Sequence, residues 1–484
     1  MPDPSLAPLS DGVVAVLKRD CPTCTFVVPV LDELRQHGVL TAVFSQDDPQ
    51  FPSGFDVIDD TDLRVSYHHD IDTVPTLLRV TGGVVTGRVE GWNQQQWQDF
   101  VGIEPLGAGL APYRPGCGSL SVDPDRAIEL AVRFEGSVLR SRRVEFASLE
   151  DEWEAMFDRG WSDGLPVVPP TPERVLRMLA GTSRSPDEII ATVPPDLVPV
   201  TVEKVAINAV LAGCKPEYLP IVLAAVAAAC TDEFNMHGVL ATTMSVGPVL
   251  VVNGPIRRDI GMNSAGNVLG QGNRANSTIG RALQLVIRNV GGGRPQGIDR
   301  AAHGNPGKIG LCFAEDEEAS PWSALSHQFG YDAGVNTVTL FPGEAPHSIV
   351  DQLSRTPESL ASSMAAVLTT MHHPKLVLGF DAIVVVGPEH ARVFADAGWN
   401  RERVLDELNT RTIRPGSELA RGVGGIAEGI PEHLASASLP KFRPNGLLLV
   451  HAGGGAGLFS AVIGGWANGT VGSQPVCTPI DSWR

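Results

Sequence analysis

Short apolar runs alternate with segments of helical period along most of the chain, and Gly, Pro and Asn punctuate them. Residues 12–19 (GVVAVLKR) read as a buried strand. Residues 25–38 carry Phe26, Val30, Leu31 and Leu34 at helical spacing, with Gly38 placed to close the helix. A second strand is expected over 39–44. The run TVPTLLRV, the Gly82-Gly83 turn and VVTGRVEG then predict a hairpin, and 93–101 a closing helix.

The pattern loosens over 104–150. Residues 107–115 are rich in Gly and Pro, 123–133 look helical, and 137–146 read as a strand with charged edges. Beyond 151 a Pro-rich loop leads into a helix near Thr171, and two apolar helices are expected over 202–213 and 216–230. Strand patterns recur at 243–253, 333–340, 376–386 and 446–451, with helical stretches between. That alternation predicts a layered α/β fold. The organisation expected is a domain over 1–104, a linker region over 105–150 containing Cys117, and a larger α/β catalytic domain over 151–484.

The clearest candidate chemistry is Cys21-Pro22-Thr23-Cys24, between the first strand and the first helix. Two thiols at a helix start suit reversible electron transfer, because the positive end of the helix favours a thiolate on the first sulfur. Lys18 and Arg19 add cationic charge nearby and Asp20 opposes them. A structural metal clip is the alternative, with His68-His69 as the local second pair of ligands.

Residues 8–103 resemble a thioredoxin-fold domain, on the CPTC unit between strand and helix, the Val74-Pro75-Thr76 run, and the terminal hairpin and helix. The resemblance implies that Cys21 attacks, Cys24 resolves, and a cis-proline at Pro75 faces the dithiol and guides the incoming substrate. The chain departs from thioredoxin itself in lacking a tryptophan before Cys21 and in having Pro-Thr between the cysteines.

Composition narrows the class. The chain has 484 residues, 43% of them hydrophobic and 19% charged, which indicates well-packed globules. A formal charge of −18 argues against nucleic acid and anionic membrane surfaces as partners. No apolar run is long enough for a membrane span, and the start of the sequence lacks the pattern of a signal peptide. Seven scattered cysteines fit a reducing cytoplasm.

In the larger part, residues 261–278 (GMNSAGNVLGQGNRANST) are expected to feed a helix at 279–290. Asn263, Asn267, Asn273 and Asn276 with Arg274 and Arg281 have the composition of an anion or carboxylate cradle, or of a long loop whose Gly and Asn serve its own backbone. His451 and the turn containing Gly453, Gly454 and Gly455 follow a strand, and a helix over 458–463 would complete a phosphate-binding geometry, although the spacing matches neither common nucleotide fingerprint. Glu389 and His390 are an acid–base pair or a capped turn. Cys312, Glu315 and His303 are candidates for nucleophile, acid and base, although Cys312 taken alone reads better as a small core residue. His372-His373 reads as a helix end. Cys117, flanked by glycines and near Arg114, is either an accessible relay thiol or a buried loop cysteine.

The larger part also resembles poorly characterised bacterial proteins associated with a selenocysteine-containing group named for its Sec-Gly-Ser-Cys motif. The residues are DGLPVVPPT, ANSTIGRA, FAEDEEASPW and GGGAGLFSAV, and Cys117-Gly118-Ser119-Leu120 matches the motif in part. That resemblance implies thiol or selenol chemistry.

The expectation is therefore a thiol-dependent cytoplasmic enzyme. The Cys21/Cys24 dithiol, the sole redox group expected, would serve a domain that reduces or cleaves a small polar or anionic substrate. An external thiol or a thioredoxin-reductase-type partner would supply electrons. The alternatives are a hydrolase or lyase with a regulatory dithiol, and a disulfide reductase acting on a protein client. The apolar helices of 202–230 suggest a homo-oligomer contact or a buried core.

Overall fold

The computed structural model describes residues 5, 7–135, 138–142, 144, 151–466 and 472–481. The chain is α/β throughout and divides into two compact units, Met1–Val138 and Leu139–Arg484.

The first unit is built on β1 (Gly12–Leu17), α1 (Pro22–Phe26), α2 (Val28–Gln36), β2 (Leu40–Ser45), β3 (Val57–Asp59), α3 (Arg64–His68), β4 (Thr73–Val74), β5 (Thr76–Thr81) and β6 (Val84–Glu90). Its sheet runs β3-β2-β1-β5-β6, parallel on the β1–β2–β3 side and antiparallel through β5 and β6. Val13 to Leu17 are all buried, as a central strand covered on both faces requires. Helix α2 buries Val30, Leu31 and Leu34, three of the four residues that carried its periodicity.

The unit continues through β7 (Trp92–Asn93), α4 (Gln94–Val101), β8 (Tyr113–Arg114), β9 (Cys117–Gly118) and α5 (Pro124–Glu135). Asn93 caps α4, its side chain accepting from the Gln96 amide. Two short ladders pin the stretch read from sequence as a joining region, β8 on β7 and β9 on β4. Trp92 reinforces them by donating Nε1–H to Ala111 O at 2.7 Å. Cys117 thus lies within the first unit. Of the expected strand at 137–146 only 138–142 and 144 are described, and no strand is assigned there.

The second unit opens with α6 (Glu152–Asp158), α7 (Pro172–Leu179), β10 (Ile189–Val193), β11 (Val198–Thr201), α8 (Val202–Ala212), α9 (Leu219–Ala229) and α10 (Met236–Ala241). Next come β12 (Gly247–Asn253), α11 (Ile256–Asp259), α12 (Arg274–Asn289), β13 (Leu311–Ala314), β14 (Thr337–Gly343) and β15 (His347–Val350). It closes with α13 (Pro357–Thr370), β16 (Phe380–Val386), α14 (Pro388–Asp396), α15 (Arg401–Arg411), β17 (Arg414–Pro415), β18 (Ser438–Leu439), β19 (Phe442–His451), β20 (Phe459–Gly464) and β21 (Val476–Pro479).

Two four-stranded mixed sheets, β13-β12-β14-β21 and β15-β20-β16-β19, form its centre. Alternation along the strands assigns their faces. Leu250, Val252, Cys312 and Leu340 pack with α8, α9 and α12, while Val249, Val251, Phe313 and Phe341 meet Ile383, Val385, Leu448 and Val450 of the other sheet. Ala382, Val384, Leu447 and Leu449 then face α13, α14 and α15. The order of layers is helix, sheet, sheet, helix. The apolar content of α8 and α9 is enclosed within this unit's own core.

Two expected elements need correction. The run after the glycine turn at 452–457 is strand β20, antiparallel to β15 and β16, where a helix was expected; its short apolar pattern fits either state. Helix α12 starts at Arg274 instead of Ile279, because Asn273 caps it by accepting from the Asn276 amide.

Close packing of α12 on the chain before β13 depends on Gly280. A Cβ there would lie 2.6 Å from Gly310 O and 3.1 Å from the Cys312 Cβ. Gly280→Ala is expected to cost about 1–3 kcal/mol by overpacking, read as a lower midpoint in thermal or urea unfolding. An unchanged midpoint would mean that α12 can shift freely.

Candidate functional sites

In the first unit three sulfurs converge. Cys21 occupies the N-cap of α1 with extended backbone (φ −141°), and Pro22 fills the first helical turn. The Cys21 Sγ accepts the Cys24 amide N–H at 3.3 Å, lies 3.6 Å from Val74 O, and is 2.7 Å from the Cys117 Sγ. All three thiols are free. Cys21 and Cys24 are buried, whereas Cys117 is half-buried.

The approach of Cys117 is built by its own segment. Val74 pairs with Cys117 in the β4–β9 ladder, immediately before Pro75, whose peptide bond with Val74 is cis. A Cβ on Gly116 would fall 2.2 Å from Thr73 Cγ2, so only glycine fits that crossing. Lys18 Nζ donates to Gly118 O at 2.9 Å, Thr23 Oγ1 to Pro115 O at 2.7 Å, and the Ser119 amide to Asp72 O at 2.9 Å. Gln46 Nε2 donates to Ser119 Oγ at 2.6 Å, and Gln46 Oε1 accepts the Leu120 amide at 3.0 Å. Arg114 stacks over the Phe26 ring.

These contacts polarise the sulfurs. The Cys24 S–H, with that of Cys117 and the amides of Cys24 and Thr23, pulls the Cys21 thiol down to about 5 despite burial. Burial first, then the Cys21 charge, pushes Cys24 far above the ordinary thiol range and raises Cys117. The trio thus concentrates one negative charge on Cys21. His69 Nε2 contacts Ala7 O at 2.7 Å, and His68 packs edge-on against Tyr67.

In the second unit the structure separates Cys312, Glu315 and His303. On β13, Cys312 points into the helix-facing core, where burial raises its thiol pKa, while Leu311 and Phe313 point into the layer between the sheets. Glu315 follows with the parity of Phe313. It accepts from Asn253 Nδ2 and the Leu325 amide, each at 2.7 Å, and lies 3.6 Å from Arg401. The two side chains therefore leave opposite faces, and this corrects the nucleophile–acid grouping. His303 is exposed and lines a cavity.

The asparagines of 261–278 hold their own loop. Asn276 Oδ1 and Nδ2 bind the Asn263 amide and carbonyl, Asn263 Nδ2 donates to Gly266 O, Asn267 Nδ2 to Gln271 O, and Asn273 Nδ2 to Gly261 O. Arg274 donates to Gly213 O, and Arg281 binds the Asp163 carboxylate at 2.8 and 2.7 Å. These donors are already engaged. The loop does meet the second glycine turn: the Gly453 amide donates to Ser264 O at 2.9 Å, and Gly454 comes close to Gly266. Gly455 is exposed. His390 is buried between Ser460 Oγ at 2.8 Å and Asp351 O at 3.1 Å, and Glu389 accepts the Leu458 amide at 2.6 Å. His372 stacks on Phe380.

A cavity of about 570 Å³ opens at the other end of the first sheet, beside Gly247 at the start of β12 and Lys308 just before β13. Gln284 and Arg288, one turn apart on α12, line it along with the 293–309 loop. Of the sequence-derived candidates His303 lies here, whereas Gln284 and Arg288 were not singled out. The available signal was two long polar side chains interrupting the otherwise apolar core face of α12.

No family model and no curated protein matches the chain. Among the described residues no helix is long and apolar enough to cross a membrane, and no group of three or more His, Cys, Asp and Glu side chains is placed to hold a metal ion.

Proposed function

We propose that the chain is a thiol-dependent enzyme whose first unit exchanges electrons through Cys21 and whose second unit acts on a small polar or anionic molecule. The observation that carries the reading is one low-pKa sulfur, Cys21, with two protonated thiols beside it. The thioredoxin-like reading of this unit draws support from the order and direction of its strands and from the position of the dithiol at a helix start.

The chemistry is thiol–disulfide exchange. Cys21 thiolate attacks one sulfur of a substrate disulfide, a Cys21–substrate bond forms, and the other substrate sulfur leaves as a thiolate. A second thiol, deprotonating, then attacks Cys21, releases the remaining substrate sulfur and closes an internal disulfide. An external dithiol restores the reduced form by the same two steps in reverse. Once Cys21 is bonded its charge is gone, which removes one cause of the raised Cys117 and Cys24 values. Cys117 is the more accessible of the two and is assigned the resolving step. Fusion to the second unit holds the dithiol near its client at an effective concentration of about millimolar.

The test is trapping with hydroxyethyl disulfide, followed by mass spectrometry. Cys117→Ser is expected to accumulate a mixed disulfide on Cys21, whereas wild type and Cys24→Ser proceed to a Cys21–Cys117 bond. Failure of Cys21 to react, or accumulation only in Cys24→Ser, overturns the assignment.

A further inference from the structure

The cavity at the amino ends of β12 and β13 holds a charge that the protein leaves unanswered. Arg288 makes no hydrogen bond or ion pair with any described residue, and its Nε is buried without a partner. Gln284 Nε2, one turn earlier, is likewise buried and unpartnered. It lies against Gly247, where a Cβ would stand 3.4 Å away. The other charged side chains of the wall are matched. Asp163 binds Arg281 through both oxygens, and Asp299 receives Lys308 Nζ at 2.8 Å. Burial first, then the Arg294 charge, disfavours the Arg288 cation, and Asp163, already bound to Arg281, offsets this only in part.

Unmatched buried donors are costly, and in a folded protein they mark strain or a missing ligand. A guanidinium with an amide beside it offers several N–H groups to two oxygens on one carbon. One side of the wall is apolar, where the buried side chains of Met236, Val239, Leu240 and Val246 reach the cavity, while Gln296, His303 and Asn305 add polar groups from the 293–309 loop. The volume of about 570 Å³ lies within the roughly 300–1,000 Å³ usual for small-ligand sites.

We infer that this cavity binds a small monocarboxylate, its carboxylate held by Arg288 and Gln284 and its apolar body against the Met236–Val246 side. The inference rests on the reading of the second unit as the part that holds a small substrate, and it gives that substrate a place and a chemical class. It also moves the expected anion site away from the asparagine loop, whose donors are spent.

The experiment is calorimetric titration of the full-length protein with butyrate, hexanoate, benzoate and phenylacetate, each paired with its neutral amide. At least one carboxylate should bind about tenfold or more tightly than its amide, since a charge-assisted contact is lost in the amide. Arg288→Met should abolish that preference, Arg288→Lys should keep part of it, and Gln284→Leu should weaken binding several-fold. Arg288→Lys keeps the cation and guards against misreading a folding defect. Cys24→Ser and Cys117→Ser should bind like wild type, so a failure here is distinct from a failure of thiol exchange. Equal binding of acids and amides, no binding by any of the four acids, or undiminished binding by Arg288→Met overturns the inference.

Discussion

Cys21→Ser is expected to slow reduction of hydroxyethyl disulfide by a hundredfold or more at pH 7, while Cys24→Ser and Cys117→Ser retain the first attack. At that pH a thiol of pKa about 5 is almost wholly thiolate. The remaining two are raised by burial and stay protonated, and each unit above the ambient pH costs about tenfold in thiolate. The pH profile carries the same signature. The attack rate of the wild type should rise through pH 5 and then flatten, and Cys21→Ser should lack that step. Cys117→Ala removes one of the donors that lower Cys21 and should move the step upward. Stability of the reduced protein follows with a definite sign. A thiol whose folded pKa lies below its unfolded value of about 9 stabilises fully above that value, and this stabilisation fades as pH falls toward 5. Thiolate absorbance at 240 nm against pH reads the titration directly. A Cys21 that titrates near 9 sinks the mechanism.

The dithiol was legible in sequence because its context is local: a strand, two thiols, a proline in the first turn, an amphipathic helix. Cys117 was not placed, because its approach depends on β7, β8, β9 and β4, each two residues long. Two-residue ladders leave no periodic trace, and the contact spans 96 positions of sequence. The layered α/β character of the larger unit was readable from its apolar strands. The pairing of its two sheets was not, since strands buried on both faces look alike whichever layer covers them.

The limits of local periodicity also explain the strand found after the glycine turn. LFSAVIGG is apolar over too short a span to separate strand from helix, and only pairing with β15 and β16 decides it. Cys312 and Glu315 were grouped by closeness in sequence, yet three positions along a strand put side chains on opposite faces. The asparagines were read as an anion cradle or as partners of their own loop, and their side chains bond within the loop. Which bonds they form depends on the loop's return to its own backbone, and composition carries no information about that. The cavity around Arg288 is harder still, because its walls come from α10, α12 and the 293–309 loop.

Removing Glu315 is expected to cost about 3–5 kcal/mol, a loss typical of stranding a buried charge. Glu315 is fully buried and Arg401 nearly so, 4% exposed. Their surroundings tie the carboxyl ends of both sheets together: Asn253 ends β12, His451 ends β19 and donates its amide at 3.4 Å, and Arg401 opens α15. Arg401 also donates to Gln328 Oε1 at 3.0 Å and Leu449 O at 2.5 Å. Glu315→Ala would strip that guanidinium of its counter-charge and leave the Leu325 N–H without its acceptor, while Asn253 Nδ2 would keep only Glu317 Oε1 at 3.0 Å. Arg401→Met should behave differently, because a carboxyl can take up a proton where a guanidinium cannot shed one. Burial already raises Glu315 above the usual carboxylate range, and loss of the Arg401 charge should raise it further. A folded pKa above the unfolded one means that stability falls as pH rises from about 4.5 through the folded value. Urea unfolding of Arg401→Met should therefore show more stability at pH 5 than at pH 8, with a slope of up to about 1.4 kcal/mol per pH unit. A loss below about 1 kcal/mol for Glu315→Ala, with no such slope in Arg401→Met, would show that the two sheets hold together without this knot and would return Glu315 to the set of candidate acids.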